Sequence, residues 1–109
     1  MDLVNVLQIL NDKLSASLKL LRTNGSKLAE TERDYKIAIN KKALELKDNG
    51  MPVTLINQVI YGYQEIAKLR FDRDVAQVIY NANLESINCT KLQLRIVQEQ
   101  INKEWSNEK

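Results

Sequence analysis

Residues 3–35 read LVNVLQILNDKLSASLKLLRTNGSKLAETERDY, and this stretch decides the fold. Leucines recur every seven residues at Leu7, Leu14, Leu21 and Leu28, and Tyr35 continues the line. Leu3, Leu10, Ser17, Asn24, Thr31 and Ala38 form a companion line three or four residues away. Two lines at that offset share one face of an α-helix, so they mark a heptad seam packed along its length. A second seam runs Val59, Ile66, Arg73, Tyr80, Ile87, Leu94 and Ile101, with Leu69, Ala76, Asn83, Thr90 and Val97 beside it. No alternating strand pattern competes with either seam. The expected fold is all-α, a long antiparallel helical hairpin forming one domain over residues 1–109.

The joint between the seams is Lys47-Asp48-Asn49-Gly50-Met51-Pro52. Lysine in a last turn, glycine just beyond it and proline two residues later make a helix stop signal. The first arm therefore covers residues 1–48, a turn with a short helix covers 49–62, and the second arm covers 63–105. Pro52 or Thr54 opens the short segment, which runs from Val53 to Tyr61. A weaker interruption sits at Asn24-Gly25, a poor helix pair. The heptad phase passes from Leu21 to Leu28 without a skip, which favours a continuous or merely kinked arm. A true break at Gly25 would instead give three helices.

Antiparallel pairing of the seams sets Tyr35 opposite Ile66, Leu21 opposite Tyr80 and Leu14 opposite Ile87. The same register brings Ser17 to Asn83, a polar layer of the kind that specifies register at some cost in stability. Two stripes do not use all the apolar residues. Val6, Ile9, Leu20, Ile37, Leu44, Val75, Val78, Ile79, Leu92 and Ile96 lie off the seams. Apolar side chains spread this widely around a helix need a further surface. A homo-oligomer is expected, with a dimer completing a four-helix arrangement as the first choice.

Composition narrows the chemistry. The chain has 109 residues, one cysteine and no histidine, so Cys-His and Ser-His pairs and His-bearing metal motifs are excluded. No phosphate-binding glycine loop or nucleophile motif is present. Glu30, Glu32 and Asp34 form one acidic cluster, Asp72 and Asp74 another. Residues two apart on a helix diverge, so both read as solvated faces with Lys68–Asp72 and Arg70–Asp74 ion pairs. No enzyme activity, cofactor or metal is expected. The formal charge is +2, and residues 51–109 carry 7 basic and 7 acidic groups, so no one-sign stripe points to nucleic acid. The start of the chain lacks a signal-peptide pattern and no segment suits a bilayer span, which leads to a soluble, cytoplasmic expectation with no membrane partner.

Six residues stand out as candidate interaction sites. Arg73 is the one charge on the second seam; it snorkels to the edge and pairs with Glu30 or Glu32, or it holds an anionic ligand or fixes an oligomer interface. Tyr61 and Tyr63 lie beside Lys41 and Lys42 across the turn, a set that can stack bases and meet phosphates or simply pack the hairpin tip. Trp105 follows Ile101 on one face and serves as a packing anchor or as a contact hot spot. Cys89 reads as a small buried hydrophobe.

Residues 35–105 resemble a loose family of small helical phage and prophage accessory proteins of low-GC Gram-positive bacteria. The residues that carry the resemblance are Leu46-Lys47-Asp48-Asn49-Gly50-Met51-Pro52-Val53-Thr54-Leu55-Ile56, then Ala67-Lys68-Leu69-Arg70-Phe71, Tyr80 and the tail to Glu104-Trp105. The resemblance implies a virus-encoded accessory role in a bacterial host and supplies no catalytic residues. A hairpin of this size is also similar to the secreted WXG family, but the turn has no Trp-x-Gly. The expected function is a non-enzymatic oligomeric interaction module that engages a host or phage protein. The alternative is a nucleic-acid-binding accessory of phage replication or recombination.

Overall fold

The computed structural model describes residues 2–108; Met1 and Lys109 lie outside the described residues. Three α-helices follow one another: α1 over Leu3–Asp48, α2 over Val53–Val59, and α3 over Gln64–Glu108. A 3-10 turn at Ile60–Gly62 links the last two. No strand occurs among the described residues. The fold is an all-α helical hairpin with a short helix in the turn.

Local chemistry explains where the helices begin and end. The Asp2 carboxylate accepts a hydrogen bond from the Val4 N–H at 3.1 Å, satisfying a donor that the first turn of α1 leaves open. At the other end the Met51 N–H donates to the Leu46 carbonyl and the Gly50 N–H to the Lys47 carbonyl, both at 3.0 Å. These paired bonds close the last turn, and they require Gly50 at φ +89°, a region that side-chain-bearing residues avoid. Met51 then packs against Leu46, the apolar contact that accompanies such a stop. Pro52, extended at φ −61° and ψ 144°, precedes α2, and its carbonyl receives the Leu55 and Ile56 N–H groups. Thus Pro52 rather than Thr54 opens the short helix.

The helix α1 passes through Asn24-Gly25 without interruption, so the three-helix alternative broken at Gly25 is not adopted. Glycine costs about 1 kcal/mol in a helix interior, less than the buried seam on either side contributes.

The backbone gathers into two compact units, one from Met1–Thr23 with Tyr80–Lys109 and one from Asn24–Ile79. In the first, Asn83 donates its side-chain N–H to the Ser17 carbonyl at 3.0 Å, and both residues are buried. The expected polar layer is present, with the Ser17 backbone as acceptor. Ile87 and Thr90 are buried in the same unit, and the Thr90 hydroxyl donates to the Ser86 carbonyl at 2.8 Å. In the second unit Leu46, Ile56 and Ile60 make the core beneath the turn, with Ile39, Ala43, Met51 and Tyr63 packed against it. Ile66, Ala76, Thr31 and Tyr35 are buried there as well.

Candidate interaction surface

Each seam residue is buried or half-buried, whereas Ile9, Leu20, Ile37, Leu44, Val75, Val78, Ile79, Leu92 and Ile96 are all exposed. Of the ten off-seam apolar residues only Val6 is partly covered. Within Asn24–Ile79 the densest exposed group is on α3, where Phe71 and Val78 are 66% and 67% exposed. Beside it lies a groove of about 360 Å³ lined by Leu69, Val75 and Ile79 together with Lys27, Asp34 and Asp72. Within the other unit Leu92 and Ile96 are exposed on α3.

Charges at the turn are held rather than free. The Lys42 ammonium sits 4.4 Å from the centre of the Tyr63 ring and 3.3 and 3.6 Å from the Glu65 and Glu45 carboxylates. Desolvation pulls the Lys42 pKa down, but the Glu65 hydrogen bond and the two carboxylate charges outweigh it, and the net shift is upward. Glu65 is shifted below the usual glutamate range, first by its own backbone N–H and then by Lys42, against opposing desolvation. Lys42 therefore stabilises the fold below its unfolded pKa and loses that contribution as pH rises through the raised folded value. Glu65 contributes above its unfolded pKa of about 4.3 and loses this as pH falls through the lowered one. Melting temperature is expected to decline as pH drops from 6 to 3, with a shallower decline in Glu65→Gln. Equal slopes in thermal scans of the two proteins would contradict a stabilising role for the pair.

The six sequence candidates separate. Lys42 and Tyr63 meet directly, and Arg70, not among the candidates, lies 5.2 Å from the centre of the half-exposed Tyr61 ring. Lys41 is exposed and lines an open groove with Lys42, Glu45 and Asp48. Trp105 is 60% exposed near the end of α3, so it is not the packed anchor its spacing suggested. Arg73 corrects the expected partner: its guanidinium binds Asp74 at 2.9 Å and stacks 4.7 Å from the Tyr35 ring centre, rather than pairing with Glu30 or Glu32. Helical side chains lean toward their own N-terminus, which carries Arg73 and Tyr35 toward one another in antiparallel helices. Asp74 pairs with Arg73 rather than with the expected Arg70, which lies over Tyr61, while the expected Lys68–Asp72 pair is present at 3.1 Å. Cys89 is exposed, not buried. It lies two residues from Ile87, about 200° around the helix, and so faces away from the seam.

No family model, curated protein or solved structure matches the chain. Among the described residues no group of three or more acidic, cysteine or histidine side chains is placed to hold a metal. Among them, too, no helix is long and apolar enough to cross a membrane.

Proposed function

We propose that this chain is a non-enzymatic helical interaction module that acts as a homo-oligomer, with a dimer as the basic form. The supporting observation is the outer apolar face: nine of the ten off-seam residues named above are exposed. These side chains are about half exposed, so covering each would contribute roughly half of the 1.5–3 kcal/mol of a full burial, a drive toward association when summed over the face. Sedimentation equilibrium at high micromolar concentration is expected to return the mass of a dimer or larger assembly; a monomer there overturns the reading. The resemblance of residues 46–56 and 67–71 to phage proteins extends the proposal to an accessory role in the cytoplasm of a bacterial host, where the assembled module engages a host or phage protein.

Nucleic-acid binding at the turn is the second reading, favoured by half-exposed Tyr61 under Arg70 and by exposed Lys41. Stacking on Tyr61 with phosphate contacts from Lys41 would give a mobility shift with single-stranded DNA at low salt. The paired state of Lys42 with Glu45 and Glu65 counts against it.

A further inference from the structure

Helix α3 carries a second apolar line that nothing in the chain covers. Phe71, Val75, Val78, Ala82, Glu85, Cys89, Leu92 and Ile96 follow one another at alternating intervals of four and three residues. All eight are exposed. Phe71 and Val75 flank the seam residue Arg73 at two positions, which turns their backbone positions from the seam, and both border the groove that Lys27 and Asp34 of α1 also line. Seven of the eight are apolar or small, the pattern of a coiled-coil seam awaiting its partner.

We propose that this outer face of α3 packs antiparallel against the same face of a second copy, about a two-fold axis at the level of residues 83 and 84. This rests on the oligomeric reading above and names the surface that serves it. In that register Phe71 meets Ile96 of the second copy, Val75 meets Leu92, Val78 meets Cys89 and Ala82 meets Glu85. Each layer occurs twice, with the roles of the copies exchanged, as an isologous interface requires. The flanking charges agree with it. Asp74, which Arg73 holds within its own helix, comes beside Arg95 of the second copy, and Lys68, paired with Asp72, comes beside Glu99, opposite signs in both cases.

Other arrangements fit worse. A parallel pair sets Lys68, Glu85 and Glu99 each against its own copy, like charge on like. Sliding the antiparallel pair by one heptad sets Val75 against Glu99 and Phe71 against Lys103, or Val75 against Glu85 and Lys68 against Leu92. Of these arrangements the stated register alone joins apolar layers with complementary charges, and this favours a second copy as the occupant.

Cysteine pairing tests it. In the wild-type dimer the two Cys89 residues lie about 16 Å apart along the helices, too far for a disulfide. Val78→Cys places a thiol opposite Cys89 of the second copy, at an exposed site where the change does not disturb the core. Mild oxidation of the full chain is expected to convert most of Val78→Cys to a covalent dimer, while the wild type and Val78→Cys/Cys89→Ser stay uncrosslinked. Asp74→Arg is expected to weaken dimerisation about tenfold, and adding Arg95→Asp to restore it. If Val78→Cys sediments as a dimer but fails to crosslink, or if the wild type crosslinks equally, this face is overturned and the oligomeric reading stays intact. A monomer at high micromolar concentration overturns both.

Discussion

Replacing Ile66 with alanine is expected to lower the free energy of unfolding by about 3 kcal/mol, a large share of the total for a chain this size. Ile66 is 0% exposed, the most completely buried apolar side chain among the described residues. It stands in the first turn of α3, where the turn region leads back into the seam. A helical pair has little material with which to refill a vacated core position, because each helix already buries only one stripe. Removing three carbons therefore loses both the transfer energy and the contacts of the surrounding atoms. Val4→Ala, at a 59% exposed position outside the proposed dimer face, serves as the comparison and is expected to change stability by less than about 0.5 kcal/mol. Urea unfolding at one fixed protein concentration separates the two, since association adds a concentration-dependent contribution. A loss below about 1 kcal/mol for Ile66→Ala would mean that the site collapses freely and is no keystone of the fold.

Tyr35→Ala is expected to cost a similar amount, about 3 kcal/mol, for a different reason. The Tyr35 ring is buried and also forms the surface on which the Arg73 guanidinium lies. Truncation opens a cavity and leaves that cation, only 26% exposed in its side chain, without its aromatic face. A double-mutant cycle with Arg73→Met isolates the stacking, with an expected coupling of about 1 kcal/mol. Coupling near zero would show that Arg73 rests on Tyr35 without contributing to stability, leaving its pairing with Asp74 as its whole role. Salt distinguishes the two contributions further, because the exposed Asp74 contact is screened while a partly desolvated stack is screened less.

Much of the architecture was legible because heptad spacing maps directly onto helix geometry. Leu7, Leu14, Leu21 and Leu28 could only serve one face of one helix, and all four are at least half-buried. The stop at Gly50-Met51-Pro52 was equally legible, because the left-handed turn and the missing proline donor are properties of those residues alone. The meeting of Ser17 and Asn83 was legible from their matching seam positions, but not that the Asn83 amide would take the Ser17 backbone carbonyl as its acceptor. The interaction sites were less so. Arg73 has several acidic neighbours within reach in sequence, and spacing alone does not tell which one a long flexible side chain takes. Arg70 over Tyr61 was not legible, because the 3-10 turn that presents Tyr61 leaves no periodic signature.

By itself, the sequence determined an all-α hairpin, the place of its turn, the seam faces and a surplus of apolar residues beyond what two stripes bury. Those follow from period, from proline and glycine stereochemistry and from counting. Tertiary structure alone decided that Cys89 and Trp105 are exposed, and that Lys42 and Arg73 are spent on tyrosines and carboxylates. Each of these depends on which side chains from distant positions compete for one space, a matter of packing that no local pattern records. The exposed line from Phe71 to Ile96 belongs to both: its spacing was always in the sequence, but only the placement of α1 against the other face left it uncovered.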